Sequence, residues 1–152
     1  MWRYCFPLLV VCLLTSVVHA HPALKGIDKV YINLHPLDRD AEKTKIERDR
    51  VMQWIEGELR SGNIQIAQGQ GYPQLDVSVQ VAKAWWSWAV TYRLSLRNWA
   101  KSTADPNRKF LATTWETGGL FTSSKKKVPT KLESNLDEAI GNFIHDYQEA
   151  NQ

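Results

Sequence analysis

The sequence of 152 residues predicts an α+β fold, a two-layer sandwich. In this fold two helices cover one face of a mostly antiparallel sheet of about four to five strands. Two segments, 75–81 and 90–97, alternate apolar and polar residues as half-buried strands do. A third observation is an apolar stripe at helical spacing over 132–147, opposite a face rich in carboxylates. Strands with one apolar face and helices with one apolar stripe bury these surfaces against each other, which gives the two layers.

The predicted order of elements is strand, helix, four strands, helix. The first strand spans 27–34 and ends before Pro36, because proline cannot donate a hydrogen bond to a strand ladder. The first helix begins at a capping-box match over 44–47, in which Thr and Glu side chains would satisfy free amides. It runs to about Ser61, with Gly62 as its C-terminal stop.

Four strands are expected next, at 63–68, 75–81, 90–97 and about 110–117. The second and third of these form a hairpin whose bend lies near 85–88. Gly118-Gly119 should break or bulge the last strand, because consecutive glycines interrupt regular pairing. The connections between these strands are polar, as surface loops are.

The last helix begins near Pro129, beside a second capping-box match over 130–133, and runs nearly to the C-terminus. Its stripe consists of Leu132, Leu136, Ala139, Ile140, Phe143 and Tyr147. The sheet face away from both helices is predicted to be solvated or free to receive a partner. It would carry Asp76, Ser78, Gln80, Arg93, Ser95, Arg97 and Trp99.

Residues 1–20 have the pattern of a cleaved secretory signal peptide. One basic residue, Arg3, precedes an apolar core at 8–14, and small residues lead to an expected cleavage after Ala20. A membrane anchor is the alternative, but this apolar run is shorter than the roughly 20 residues that span a bilayer. Residues 21–152 are then a single α/β domain without a transmembrane segment. We expect export to a bacterial periplasm or to the extracellular space.

Cleavage would remove both cysteines, Cys5 and Cys12, so the exported chain would have no disulfide, thiol nucleophile or cysteine zinc site. Cys12 also lies too early for lipid attachment, and it follows a bulky Val11. An N-terminal His21 could bind copper, but one residue is a weak motif. The sequence predicts no metal and no cofactor.

Motifs of catalysis are mostly missing, and the protein is not predicted to be an enzyme. A small secreted enzyme with a dispersed site is a third interpretation. It would require a cleft that gathers His35 or His145 with carboxylates. His145 precedes Asp146, but adjacent helical residues should point in different directions.

Tryptophans give the most informative pattern, because Trp85, Trp86 and Trp88 fall within four residues. On a strand, Trp86 and Trp88 would face one way and Trp85 the other, so one core could not hold all three. Exposed tryptophans favour interfaces, sugar-binding platforms and membrane surfaces. With nearby basic residues they suit anionic glycans, lipid head groups or an acidic protein. The candidate binding residues are Lys83, Trp85, Trp86, Trp88, Arg93, Arg97 and Trp99.

An alternative places Trp54 and Trp115 in the core, lets Trp85 or Trp86 cap its edge, and leaves one tryptophan exposed. The lysine run 125–127 is then a solvated loop or a weak contact with anionic head groups. Nucleic acid is not an expected partner, because the chain is exported and its net charge falls from +3 to +2 when Arg3 is lost.

The order of elements resembles small periplasmic α/β modules that assist envelope assembly, of the TolB N-terminal type and the LptE type. The resemblance covers most of 27–150, rests on element order, and assigns no functional residue. Many such proteins are lipoproteins, and this chain departs from them by lacking a convincing lipid-attachment cysteine.

The signal-peptide pattern, the missing catalytic motifs and this resemblance together favour an exported, non-enzymatic binding or envelope-assembly accessory protein. It would hold a protein or another envelope component through the open sheet face, an edge strand or the Trp-rich hairpin end. The alternative is a carbohydrate- or lipid-binding module that uses Trp85, Trp86 and Trp88. The sequence does not indicate an oligomeric state.

Overall fold

The computed structural model describes residues 22–152, so the predicted signal peptide and His21 lie outside the described residues. Two short 3₁₀ turns, Pro22–Leu24 and Lys125–Lys127, precede the first strand and the last helix. The strands and helices, in chain order, are β1 (Lys29–Leu34), α1 (Arg39–Lys43), α2 (Arg48–Ser61), β2 (Gln65–Ile66), β3 (Gln74–Lys83), β4 (Trp88–Lys101), β5 (Lys109–Ser123) and α3 (Val128–Ala150).

Five strands form one sheet in the order β2-β1-β3-β4-β5. β1 pairs in parallel with β2 and β3, whereas the longer β3–β4 and β4–β5 pairs are antiparallel. Parallel pairing of β1 with β2 requires a crossover, and α2 provides it. The predicted α+β class and strand number are therefore confirmed, and most of the paired residues are in antiparallel ladders.

One hydrophobic core lies between the sheet and the two long helices, which both pack on the same sheet face. The predicted stripe of α3 is confirmed, since Leu132, Leu136, Ile140 and Phe143 are buried. Trp115 of β5 packs edge-on against Phe143, with ring centroids 4.9 Å apart. Among the described residues, no helix combines the length and apolar character needed to cross a bilayer.

Both predicted capping boxes are wrong, although the helices they belong to exist. α2 begins only at Arg48, and Thr44 instead closes α1, where its hydroxyl donates to the Ala41 carbonyl at 2.7 Å. The short helix α1 was not anticipated, and it uses the residue that the pattern assigned to α2. Pro129 lies in the first turn of α3, as predicted, so Thr130 is already inside the helix.

The predicted interruption at Gly118-Gly119 is also wrong, because β5 continues through both residues. A Cβ on Gly118 would lie 2.4 Å from the Tyr92 carbonyl oxygen, and one on Gly119 would lie 2.8 Å from the Tyr92 hydroxyl. Because both glycines lack a Cβ, the β4 backbone and the Tyr92 side chain can approach β5 closely. The irregularity in this ladder lies instead at Thr114, the extra residue opposite β4.

Candidate functional site

The β3–β4 hairpin ends in a four-residue turn, 84–87, in which the Ala84 amide donates to the Ser87 carbonyl at 2.9 Å. Trp85 and Trp86 lie on this turn, with 89% and 93% of their surface exposed. Their rings are 6.3 Å apart and tilted by 51°. Two large apolar side chains therefore project into solvent side by side.

Trp88, by contrast, is 8% exposed and belongs to the core. It is the first residue of β4, opposite Lys83 of β3 and Ser123 of β5. The predicted position of the hairpin bend is confirmed, and strand alternation does not apply to the three tryptophans, because Trp86 lies in the turn and only Trp88 lies in a strand. Trp88 supports the hairpin from the core side and is not itself available to a partner.

The alternative interpretation of the tryptophans is partly confirmed. Trp115 is buried and Trp54 packs against the core. Its other part is wrong, since neither Trp85 nor Trp86 caps the core edge and both are exposed. Trp88 takes the position at the core edge.

Lysines from three segments lie around the turn. Lys83 ends β3 beside it, and Lys125–Lys127 follow Ser123, the strand partner of Trp88. Lys45 lines one shallow groove together with Lys125 and Lys126. We call the surface formed by Trp85, Trp86, Lys45, Lys83 and Lys125–Lys127 the Trp–Lys surface.

Charge is unevenly distributed between this end of the molecule and the rest. Segments 38–47, 83–88 and 122–131 together carry eight basic and four acidic side chains. The remainder of the described chain carries ten basic and twelve acidic side chains. The net charge of the whole chain is therefore near zero although one end of the molecule is basic.

Asp38, the N-cap residue of α1, holds that helix beside the hairpin. Asp38 accepts from the amides of Ala41 and Val81, both at 2.7 Å, on the edge of β3 that β1 leaves uncovered. Asp40 lies 2.7 Å from the Lys43 ammonium. That hydrogen bond lowers the pKa of Asp40 below its ordinary value, and the backbone amide of Lys83 adds to the effect.

Four other lysines of this end differ from Lys43 in this respect. Within residues 22–152, Lys45 and Lys125–Lys127 form no ion pair with a carboxylate. Their charge is therefore available to an anionic partner, whereas the charge of Lys43 is largely offset by Asp40.

The remaining predicted binding residues lie on the open sheet face, away from the turn. Arg93 forms an ion pair with Glu116, and Arg97 forms one with the buried Asp76. At about 3.3 Å per residue, Arg93 and Trp99 lie roughly 17 and 36 Å along β4 from its start. The seven candidate residues therefore do not form one surface, and the two arginines are already neutralised.

Trp99 belongs to a second aromatic and basic region, at the opposite end of the sheet. Its side chain is 49% exposed, and it lines a shallow depression with Gly71, Lys101 and Lys109. Phe110 is also exposed there. The tryptophan pattern predicts Trp99 as a binding residue but not its neighbours, which the β4–β5 register brings together.

Each histidine of the described chain contacts a carboxylate. His35 Nε2 lies 3.4 Å from Asp76, and His145 Nε2 lies 3.5 Å from Glu149. Neither histidine is among the residues that line the grooves between α2 and α3, on the open sheet face or beside Lys45. Each histidine is thus paired with a single carboxylate, and Asp76, the partner of His35, is itself buried.

The C-terminal half of α3 also brings three potential ligand groups together, which the sequence analysis missed. Ligand atoms of His145, Asp146 and Glu149 lie within 4.8 Å of one another. Trp115 Nε1 donates to Asp146 at 2.7 Å. Exposed groups of this kind commonly lie together without an ion, and the cluster does not establish a metal site.

A small apolar cavity separates α2 from α3. It is lined by Val51, Trp54, Leu132 and Leu136 among others and holds about 20 Å³. That volume is on the order of one water molecule. The cavity is too small for an organic ligand, so the exposed surfaces are the better candidates for a functional site.

No family model matches this sequence, and no curated protein sequence does. One similar solved structure is a dodecamer of a single-residue variant of PelC from Paraburkholderia phytofirmans, at 17% identity and a TM-score of 0.42, covering 86% of this chain and 93% of that one. Another is a minor lipoprotein from Acinetobacter baumannii, at 11% identity and a TM-score of 0.32, covering 81% and 92%. Neither similarity assigns a family or a function to this chain.

Proposed function

We propose that this protein is an exported, non-enzymatic binding protein that holds an envelope component through the Trp–Lys surface. The observation that supports this most is the exposure of Trp85 and Trp86, at 89% and 93%. Burying apolar surface yields roughly 25 cal/mol per Å², and a tryptophan can bury about 150–250 Å². Covering the two side chains would therefore contribute several kcal/mol of favourable free energy to the binding of a partner.

The open sheet face is a weaker candidate for the same role. Its two arginines, Arg93 and Arg97, already pair with Glu116 and Asp76. A partner that used either guanidinium would first have to break an ion pair within the protein. Within the described residues, Lys45 and Lys125–Lys127 of the Trp–Lys surface form no such ion pair, which favours this surface.

Carbohydrate binding is the second candidate function, since exposed indole faces can stack on sugar rings. The 51° tilt between the two rings would let each stack on a separate sugar, because the pair does not form one flat platform. This candidate shares the contact residues with the first, and the identity of the crosslinked partner separates the two.

Site-specific photocrosslinking in cells that export the protein tests the proposal. A photoreactive amino acid would replace Trp86 in one variant and Phe110 in a control. Phe110 is 47% exposed on β5 and pairs with Ala100, at the end of β4 opposite the turn. We expect a defined adduct from position 86 that is lost when Trp85→Ala is added, and none from position 110. Adducts from position 110 alone would contradict the proposal.

A further inference from the structure

We infer that the partner of the Trp–Lys surface is a lipid bilayer with anionic head groups, an inference that rests on the proposed binding role of that surface. Tryptophan is enriched where a protein meets the membrane–water interface, because its ring is apolar and its N–H is polar. Trp85 and Trp86 lie on a turn that extends past the point where β5 ends, opposite Trp88. They can therefore enter an interface before any other part of the sheet.

The lysines lie where anionic head groups would be when the turn enters a bilayer. Lys83 flanks the turn, and Lys125–Lys127 follow the end of the neighbouring strand. Their flexible stems let the ammonium groups reach the head-group level while the rings lie deeper. Clusters of lysine near a membrane surface are attracted to anionic lipids.

Three features favour a bilayer over a glycan or a folded protein. The rings are about nine-tenths exposed on a projecting turn, so they do not line a cleft that would enclose a sugar. Ser87 is the only polar side chain of the turn, which leaves few hydrogen-bonding groups to orient hydroxyls. The lysines are spread over three segments, which suits a diffuse layer of charge better than a single anionic group.

Vesicle binding by the exported form of the protein tests the inference. Vesicles of phosphatidylcholine, with or without phosphatidylglycerol, would be sedimented with wild type and variants. We expect binding to the phosphatidylglycerol vesicles, a blue shift of tryptophan emission, and weakening by salt. W85A/W86A should reduce partitioning about tenfold or more. K125A/K126A/K127A should remove the preference for phosphatidylglycerol.

The opposite end of the sheet supplies the matched control. W99A and K101A/K109A change an aromatic residue and two lysines of the second aromatic and basic region, and we expect binding to be unchanged. Loss of binding in these variants, with W85A/W86A like wild type, would overturn the inference. So would tighter binding of a soluble anionic polysaccharide that shows the same tryptophan dependence.

The two proposals fail in distinguishable ways. The lipid inference alone would be overturned if wild-type protein does not bind phosphatidylglycerol vesicles but the adduct at position 86 still forms. Unchanged vesicle binding of W85A/W86A, together with no adduct at position 86, would overturn both. Melting temperatures of W85A/W86A close to wild type would show that a loss of binding is not a loss of folding.

Discussion

At the scale of single residues, the hairpin separates two roles of tryptophan within a few positions. Trp88 begins β4 and fills the edge of the core, where only 8% of it is exposed. Trp85 and Trp86 lie on the turn and contribute almost nothing to the core. The stability of the hairpin therefore depends on Trp88, and its proposed contact with a partner depends on the other two.

Substitutions should separate these roles. We expect Trp88→Ala to lower the free energy of unfolding by about 3–5 kcal/mol, because it leaves a cavity in the core. Trp85→Ala and Trp86→Ala should each change it by less than about 0.5 kcal/mol, since they remove exposed side chains. Urea denaturation measures both. Equal losses at positions 86 and 88 would show that the turn is part of the core.

The sequence could locate this cluster of tryptophans but could not show which of them are exposed and which is buried. Side-chain alternation holds only within a strand, and four residues between Lys83 and Trp88 form a turn instead. The exposed residues of the turn were identified as candidates because of their type. The groove that Lys45 shares with Lys125 and Lys126 could not be predicted, since it depends on where α1 and α3 pack.

At the scale of elements, strong periodicity was sufficient to predict a strand or a helix. Short local patterns did not predict where an element begins or is interrupted. The alternation over β3 and the stripe of α3 predicted those elements well. Thr44 matches a helix-start pattern but closes a helix of five residues, and such a short helix has no periodicity of its own. Gly118 interrupts nothing, because its missing Cβ makes room for the neighbouring strand.

Alanine substitutions at two glycines are expected to change stability in opposite directions. Gly118→Ala would place a Cβ 2.4 Å from the Tyr92 carbonyl oxygen, so we expect it to destabilise the β4–β5 pair by about 1–3 kcal/mol. Gly57 lies in α2 with no atom within 4 Å of the added Cβ. Gly57→Ala should therefore stabilise by about 0.5–1 kcal/mol. Thermal denaturation of the two variants checks the signs, and a stabilised Gly118→Ala would contradict the strand register.

At the scale of the whole molecule, charge is unevenly distributed. The Trp–Lys surface lies at a basic end, whereas the rest of the described chain has more acidic than basic residues. The strand order that creates this arrangement could not be predicted from periodicity. Alternation shows that β1 is a strand, but its position between β2 and β3, parallel to both, depends on tertiary packing.

The central claim is that Trp85 and Trp86 are covered by a partner where the protein works. Oxidative labelling of tryptophan, read by mass spectrometry of peptides, can compare the purified protein with the protein in its native envelope. We expect Trp85 and Trp86 to react readily when purified, to be protected in the envelope, and Trp99 to react equally in both. Equal reactivity of Trp85 and Trp86 in the two settings would contradict the claim.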